Sequence, residues 1–361
     1  MPNHQVFIIH GMGDYEKDWS LNIQEEIGKT FAAYKKVNAL AYIKEFDFVE
    51  VLYDDVFEKW RQMWKADAAA AAAAASAVGL DSGIADKLVD LAQSPTGGSF
   101  FQTHVLDVVM YRYLKQFREE VDQKVRERIM GHLDAFPVGQ LPTWSAIAHS
   151  LGTSVLHNTL HGMFTHPVNG VLLGDAYMPA YLFMVANVGK VLWNLGGDFY
   201  ASKVKPHVLE TKGLCWKYCN FDHQLDPFTH VDRFDPPPEW FPADVEKKRV
   251  FANVKIQNDD VQDLNVHAIS HYWSHPDVHC EIIRTLLDNP RIIDAQEHND
   301  ALVEWRKKAL KGAAKAKLQA ELQALQAKKK SDWAGIVERL AGFRKEVIKR
   351  GLYKRDGETV K

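Results

Sequence analysis

The chain has 361 residues, 46% of them hydrophobic and 25% charged, with a net charge of −3 and three cysteines. That balance excludes a disordered chain, a disulfide-built secreted module and a membrane-embedded protein, and the length suits one large domain with elaborations or two ordinary ones. The charge is unevenly spread: residues 300–361 hold 17 Lys/Arg against 8 Asp/Glu, or +9, which leaves −12 for the remainder. A basic end of this kind suits a solvated helical face better than a nucleic-acid or anionic-membrane partner.

Val6-Phe7-Ile8-Ile9 is an apolar run of the kind that makes a buried strand, and it ends in His10-Gly11-Met12-Gly13-Asp14. No leader pattern of basic, apolar and small residues precedes it, so a cytoplasmic location is expected. Ile23, Ile27, Phe31 and Ala32 share a helical stripe and predict a helix over Trp19–Val37. Phe46–Tyr53 predicts a strand beside the first. A helical insertion of about residues 55–135 follows, opened by Phe57, Trp60 and Trp64. It holds the alanine run Ala68–Ala75, strong in helix propensity but poor in area to bury. Its last part is a long helix striped by Leu114, Phe117, Val121, Val125 and Leu133, with Arg118, Glu119, Glu120, Lys124 and Arg126 on the outside.

The run Trp144-Ser145-Ala146-Ile147-Ala148 rises through His149 to Ser150, and Val155, Leu156, Leu160 and Met163 then continue at helical spacing. The order is strand, tight turn, helix. A serine pinned at such a turn has a strained backbone and an exposed hydroxyl, so its flanking residues must be small. Ala148 and Gly152 sit two before and two after it. The alternative is a serine that merely caps the helix.

Further strands are expected at Gly170–Asp175, Leu214–Phe221 and Val250–Gln257. Tyr177–Leu195 is rich in Met, Phe, Val and Tyr; it suits the core, or else an acyl-binding wall. The stretch Ala180–Leu195 is interrupted by Lys190 and is too short to span a membrane. Cys215 and Cys219, four apart on a predicted strand, are expected on one face as small apolar fillers. Pro236-Pro237-Pro238 marks a rigid loop. Beyond Pro290 the pattern changes: Leu318, Leu322 and Leu325 form one stripe, Lys328-Lys329-Lys330 follows, and Trp333, Ile336, Leu340, Phe343 and Val347 form another. The expected organisation is a core over 1–295 and a basic helical extension over 296–361, folded back or used for self-association.

A serine is a poor nucleophile at its ordinary pKa and needs an adjacent base, itself oriented by a carboxylate. After Ser150 the carboxylates near predicted strand ends are Asp175, Asp222 and Asp226. The histidines after the last strand are His267, His271 and His275. His275 lies between Ser274, an expected N-cap, and Pro276, so a helix is predicted to start there, with His267 and His271 in an irregular loop before it. No metal is expected: His267 and His271 have no Glu between them as H-E-x-x-H requires. No cofactor is expected either, because Gly11 and Gly13 belong to no phosphate-binding pattern.

Taken together, H-G-x-G after the first strand and A-H-S-x-G at Ser150 resemble the α/β-hydrolase superfamily, in particular its lipase- and esterase-like members, over about residues 5–290. The resemblance implies an α/β fold with a mostly parallel sheet flanked by helices, a helical insertion whose Phe57–Ser99 part is a lid candidate, and a C-terminal helical extension. It implies Ser150 as nucleophile, with the backbone N–H groups of Met12 and Leu151 as oxyanion donors. The family's acid is often an Asp-Pro after the penultimate strand, which points to Asp226-Pro227 ahead of Asp222 and Asp175. Its base often precedes a tyrosine as H-x-x-x-x-Y, which points to His267, with Tyr272 downstream, ahead of His271. The activity so implied is hydrolysis of a carboxylic ester with an apolar acyl group, a small-molecule or lipid-like substrate, through an acyl-enzyme. A thioesterase, phospholipase or amidase would use the same groups. A hydrolase-like scaffold that binds partners through its basic C-terminal helices is the reading from another class. Because every motif precedes Pro290, loss of residues 300–361 is expected to spare the chemistry.

Overall fold

In the computed structural model the described residues are 4–13, 15–66, 107–108, 110–112, 114–137, 140–167, 173–193, 195–208, 212–226, 228–229, 232–242, 246–257, 261–262, 266–309 and 320. Six strands form one sheet: β1 (His4–Ile9), β2 (Phe46–Val51), β3 (Thr143–His149), β4 (Tyr181–Val185), β5 (Lys217–His223) and β6 (Phe251–Ile256). Every neighbouring pair is parallel, in the order β2-β1-β3-β4-β5-β6. Val6, Phe7, Ile8 and Ile9 of β1 are all fully buried. Side chains alternate along a strand, so Phe7 and Ile9 enter one core while Val6 and Ile8 enter the other. A parallel sheet covered on both faces explains why its strands read as continuous apolar runs.

The longer helices are α1 (Leu21–Ala33), α2 (Asp54–Ala66), α3 (Lys115–Leu133), α4 (Leu151–Thr165), α5 (Ile269–Ser274), α6 (Pro276–Leu286) and α7 (Ala295–Lys307). Ile27 and Phe31 of α1 share a core with Val278, Ile282 and Ile283 of α6 on one face of the sheet. Phe117, Val121 and Val125 of α3 meet Val155, Leu156 and Leu160 of α4 on the other. β2 and β3 flank β1 on opposite sides, so the chain reverses its lateral direction between β1 and β3. The crevice outside the carboxyl ends of strands at such a reversal is where α/β sheets bind ligands.

Several sequence expectations shift. The helix expected over Trp19–Val37 is split, because Tyr34 takes an extended backbone (φ −101°, ψ 124°) between α1 and a short helix at Lys35–Ala39. Arg118, expected on the outside of α3, is buried and donates through Nη1 to the Arg112 carbonyl at 3.3 Å. Beyond the strand expected over Gly170–Asp175, the structure has β4 at Tyr181–Val185, where no strand was expected. Of the earlier stretch, 170–172 lie outside the described residues, and Asp175 opens a single 3-10 turn to Tyr177. Within Tyr177–Leu195, Leu182, Phe183, Met184 and Val185 are buried in the sheet and Val188, Val191 and Leu192 under it, a core role rather than an acyl wall. Cys215 and Cys219 enter opposite cores: β5 begins at Lys217, so the two-residue alternation does not extend back to Cys215. The alanine run, the rest of the lid candidate beyond Ala66, and the stripes over Leu318–Val347 lie outside the described residues. Among the described residues no helix is long and apolar enough to cross a membrane.

Candidate active site

The site is assembled where β1 and β3 end side by side. Ile9 is in register with Ala148, so the residues that follow, His10-Gly11 and His149-Ser150, leave the sheet together. Ser150 has φ +54° and ψ −125°, a region that disfavours any residue with a Cβ and costs on the order of 1–3 kcal/mol. The surroundings hold it there. Its N–H donates to the Val185 carbonyl (3.0 Å), and the Thr153 hydroxyl donates to its carbonyl (2.7 Å) while accepting the Val188 N–H (3.0 Å). Ser150 stands at the N-cap position of α4, yet its side chain makes no cap hydrogen bond. Helix capping therefore does not account for this serine.

Small residues let the two loops close on each other. A methyl group on Gly152 would lie 2.2 Å from the His10 carbonyl oxygen, and one on Gly11 would lie 2.8 Å from the Ser150 Cβ. The Gly11 loop is braced from behind by His10. The His10 ring stacks on Tyr53 with centroids 3.9 Å apart, its Nδ1–H donates to the Gly11 carbonyl (2.8 Å), and the Tyr53 hydroxyl donates to the His10 carbonyl (2.6 Å). Met12 follows Gly11 in this loop and is nearly buried. Leu151 opens α4, so its N–H is among the first-turn donors with no carbonyl four residues back.

His267 comes to Ser150 from the loop after β6. Its Nε2 lies 2.6 Å from Ser150 Oγ and its Nδ1 lies 2.8 Å from Asp226 Oδ2. Asp226, on the loop after β5, is fully buried and takes two further hydrogen bonds, from the Tyr272 hydroxyl to Oδ2 (2.8 Å) and from the Phe228 N–H to Oδ1 (2.9 Å). Burial pushes this carboxyl up, but the His267 ring and the three hydrogen bonds outweigh it and bring it down to about 2. An ionised carboxylate only accepts, so the His267 proton sits on Nδ1. That leaves the Nε2 lone pair to accept the Ser150 hydroxyl proton.

The alternatives lie elsewhere. Asp175 is exposed and precedes β4, at the amino end of the sheet, away from the crevice. Asp222 is still within β5; burial raises its carboxyl, and its Oδ1 has no hydrogen-bond partner among the described residues. His271 sits on α5, which starts at Ile269, not near Ser274 as expected. Its ring packs on His223 (5.3 Å) and Trp305 (5.6 Å), and neither ring nitrogen has a hydrogen-bond partner among the described residues. His275 itself caps α6 through Nδ1, which accepts the Asp277 N–H at 3.2 Å, so the imidazole takes the place expected of Ser274.

Comparisons of the chain with family models, with curated proteins and with solved structures return no match. What the site can do is therefore read from its own geometry. Among the described residues no group of three or more His, Cys, Asp or Glu side chains is placed to hold a metal ion. The arrangement provides a hydroxyl on a sharp turn, an imidazole within hydrogen-bond reach of it, and a buried carboxylate on the far ring nitrogen.

Three side chains at the site carry no assignment from sequence. Thr153 fixes the turn. Tyr272 holds the carboxylate, where the sequence offered it only as a marker downstream of His267. His149 donates through Nε2–H to the His267 carbonyl across 2.7 Å. A side chain aimed at a group far along the chain, as Tyr272 is at Asp226 and His149 at the His267 carbonyl, leaves no pattern in the sequence.

Proposed function

We propose that the protein is a serine hydrolase of the α/β-hydrolase superfamily that cleaves carboxylic esters. The observation that carries this reading is the continuous hydrogen-bonded line from Ser150 Oγ through His267 to Asp226, at 2.6 and 2.8 Å. As Ser150 Oγ attacks the ester carbonyl carbon, its proton passes to His267 Nε2, and the new imidazolium is stabilised by the Asp226 carboxylate. The N–H groups of Met12 and Leu151 receive the charge developing on the carbonyl oxygen. Collapse of the tetrahedral intermediate expels the alcohol, which takes the proton from His267 and leaves an acyl-Ser150 ester. Water then attacks that ester, gives its proton to His267, and releases the acid as the proton returns to Ser150.

An apolar acyl group suits the surroundings of the reacting pair. The half-buried Phe228 ring lies against His267 with centroids 4.3 Å apart, and Met12 follows Gly11 in the loop that packs on Ser150. The decisive experiment is labelling with a fluorophosphonate, which reacts only with an activated serine. Labelling of the wild type, its loss in Ser150→Ala, and turnover of a chain-length series of nitrophenyl esters are the expected results. Faster turnover of acyl-CoA substrates than of any ester would make the protein a thioesterase. Absence of both labelling and turnover in a folded protein would remove the hydrolase reading.

A further inference from the structure

His149 joins three of the four segments that build the candidate site: the Ser150 turn, the Gly11 loop and the His267 loop. In sequence it is the neighbour of Ser150. In space its Nε2 reaches the His267 carbonyl at 2.7 Å, and its ring lies beside the His267 ring with centroids 5.3 Å apart at 44°. On the other edge its Nδ1 faces the Gly11 loop, where a methyl group on Gly11 would come within 3.0 Å of it. The ring is buried, and a carbonyl can only accept, so the proton of the neutral imidazole is fixed on Nε2.

We infer that His149 is a positioning residue for the base: by holding the His267 carbonyl and filling the space between the His267 ring and Gly11, it fixes the reach of His267 Nε2 to Ser150. This rests on the hydrolase reading for its consequence in turnover, but the geometry it describes belongs to the folded protein alone.

The physical reason is the leverage of a short arm. The Asp226 contact fixes one edge of the His267 ring, and a ring held at one edge can still swing at the other. The nearest backbone atoms of His267 are the other place to hold it, and His149 grips the carbonyl there. A displacement of about 1 Å at Nε2 is enough to lose roughly 100-fold in rate. The imidazole also stays neutral while His267 becomes cationic, because burial and the adjacent His267 bring its pKa down to about 3. It therefore places no second positive charge beside the imidazolium.

The test compares His149→Leu, which fills the space without a donor, with His149→Gln, whose side-chain amide can donate to the same carbonyl. Two readouts are used: turnover of a nitrophenyl ester, and the proton NMR signal of the His267 Nδ1–H in its hydrogen bond to Asp226. The expected result for the leucine variant is kcat lowered roughly 10- to 100-fold with KM changed by less than about twofold. Its Nδ1 proton signal is broadened or displaced, while glutamine restores most of both. A leucine variant with wild-type kcat and an unchanged Nδ1 proton overturns the inference, and so does equal impairment of the two variants. A wild type that turns over no ester defeats the hydrolase reading alone, since the proton signal still decides whether His149 positions His267.

Discussion

The Tyr272 hydroxyl donates a hydrogen bond to Asp226 Oδ2 across 2.8 Å and accepts the His223 N–H at 2.9 Å, so one phenol ties the loop of Asp226 to the end of β5. Asp226 Oδ2 is also the atom that faces His267. Removing the phenol therefore frees the carboxylate to turn away from the imidazole. It also removes a hydrogen bond to a charged group, worth about 1.5–3 kcal/mol.

Tyr272→Phe keeps the ring and deletes only the donor. The expected outcome is a folded protein whose kcat is lowered about tenfold, the converted value of about 1.4 kcal/mol. Thermal unfolding alongside steady-state kinetics on one ester checks this. Unchanged kcat would mean that His267 and the Phe228 N–H hold Asp226 without help.

The choice between the two histidines has an equally direct test. His267→Ala is expected to lower kcat by about six orders of magnitude, as loss of the histidine base from such a triad does. His271→Leu is expected to keep turnover near wild type, because His271 packs on His223 and Trp305 and makes no hydrogen bond to Ser150. A reversed ranking would move the base to His271.

How much of this was legible in the sequence depends on how local each feature is. The strand, turn and helix around Ser150 are contiguous, and so is the loop from His10 to Gly13; both were readable from residue type and spacing. The positions of Asp226 and His267 rested on a family resemblance, not on any local pattern that separates them from Asp222 or His271. β4 was not expected because Tyr181–Val185 is a short apolar run, and periodicity alone does not separate such a strand from other buried core. The burial of Arg118 and the opposite faces of Cys215 and Cys219 depend on where neighbouring elements start. The grip of His149 on the His267 carbonyl joins residues 118 apart, and no periodicity records it.

The steric fit at the turn predicts intolerance at one glycine. A methyl group at Gly152 would meet the His10 carbonyl carbon at 3.0 Å as well as its oxygen at 2.2 Å, and both are backbone atoms that cannot rotate away. Gly152→Ala must therefore push the Gly11 loop off α4. The expected cost is about 1–3 kcal/mol or more, with loss of turnover larger than loss of stability. Chemical denaturation and ester hydrolysis on the same preparation separate the two. An alanine variant with full activity would show that the loops are not held in this contact.

Buried histidines set the behaviour in acid. Burial brings His10, His149 and His271 each down to about 3, whereas an unfolded histidine titrates near about 6.5. Between those values the unfolded chain binds the protons, so stability is complete above about pH 6.5 and falls as pH is lowered, by about 1.4 kcal/mol per unit for each group. Three such groups remove a large share of an ordinary stability of about 5–15 kcal/mol by about pH 3, against a gain of opposite sign from Asp122, whose burial raises its carboxyl to about 8. Asp226, held at about 2, adds a loss of the same sign only below about pH 4. Circular dichroism is expected to show an acid transition between about pH 4 and 5, moved to lower pH in His271→Leu. Native ellipticity persisting to about pH 3.5 would contradict it.

The last relationship ties the C-terminal segment to the histidine loop. Trp305 of α7 is buried, with its indole against the His275 ring (4.6 Å) and the His271 ring (5.6 Å). Its Nε1–H donates to Ser274 Oγ (3.4 Å), and its carbonyl accepts the Gln262 side-chain amide at 2.9 Å. Gln262, His271, Ser274 and His275 bracket His267 along the chain, so Trp305 braces the segment that carries His267. The expectation that residues 300–361 are dispensable for chemistry does not allow for this contact. Trp305→Ala should cost about 3–5 kcal/mol, as for other buried aromatics. A chain ending at residue 299 should lose turnover, whereas one ending at residue 309 should keep it. Stability curves and ester hydrolysis for the three proteins decide the matter: full activity in the chain ending at 299 would show that the His267 loop holds its place without α7.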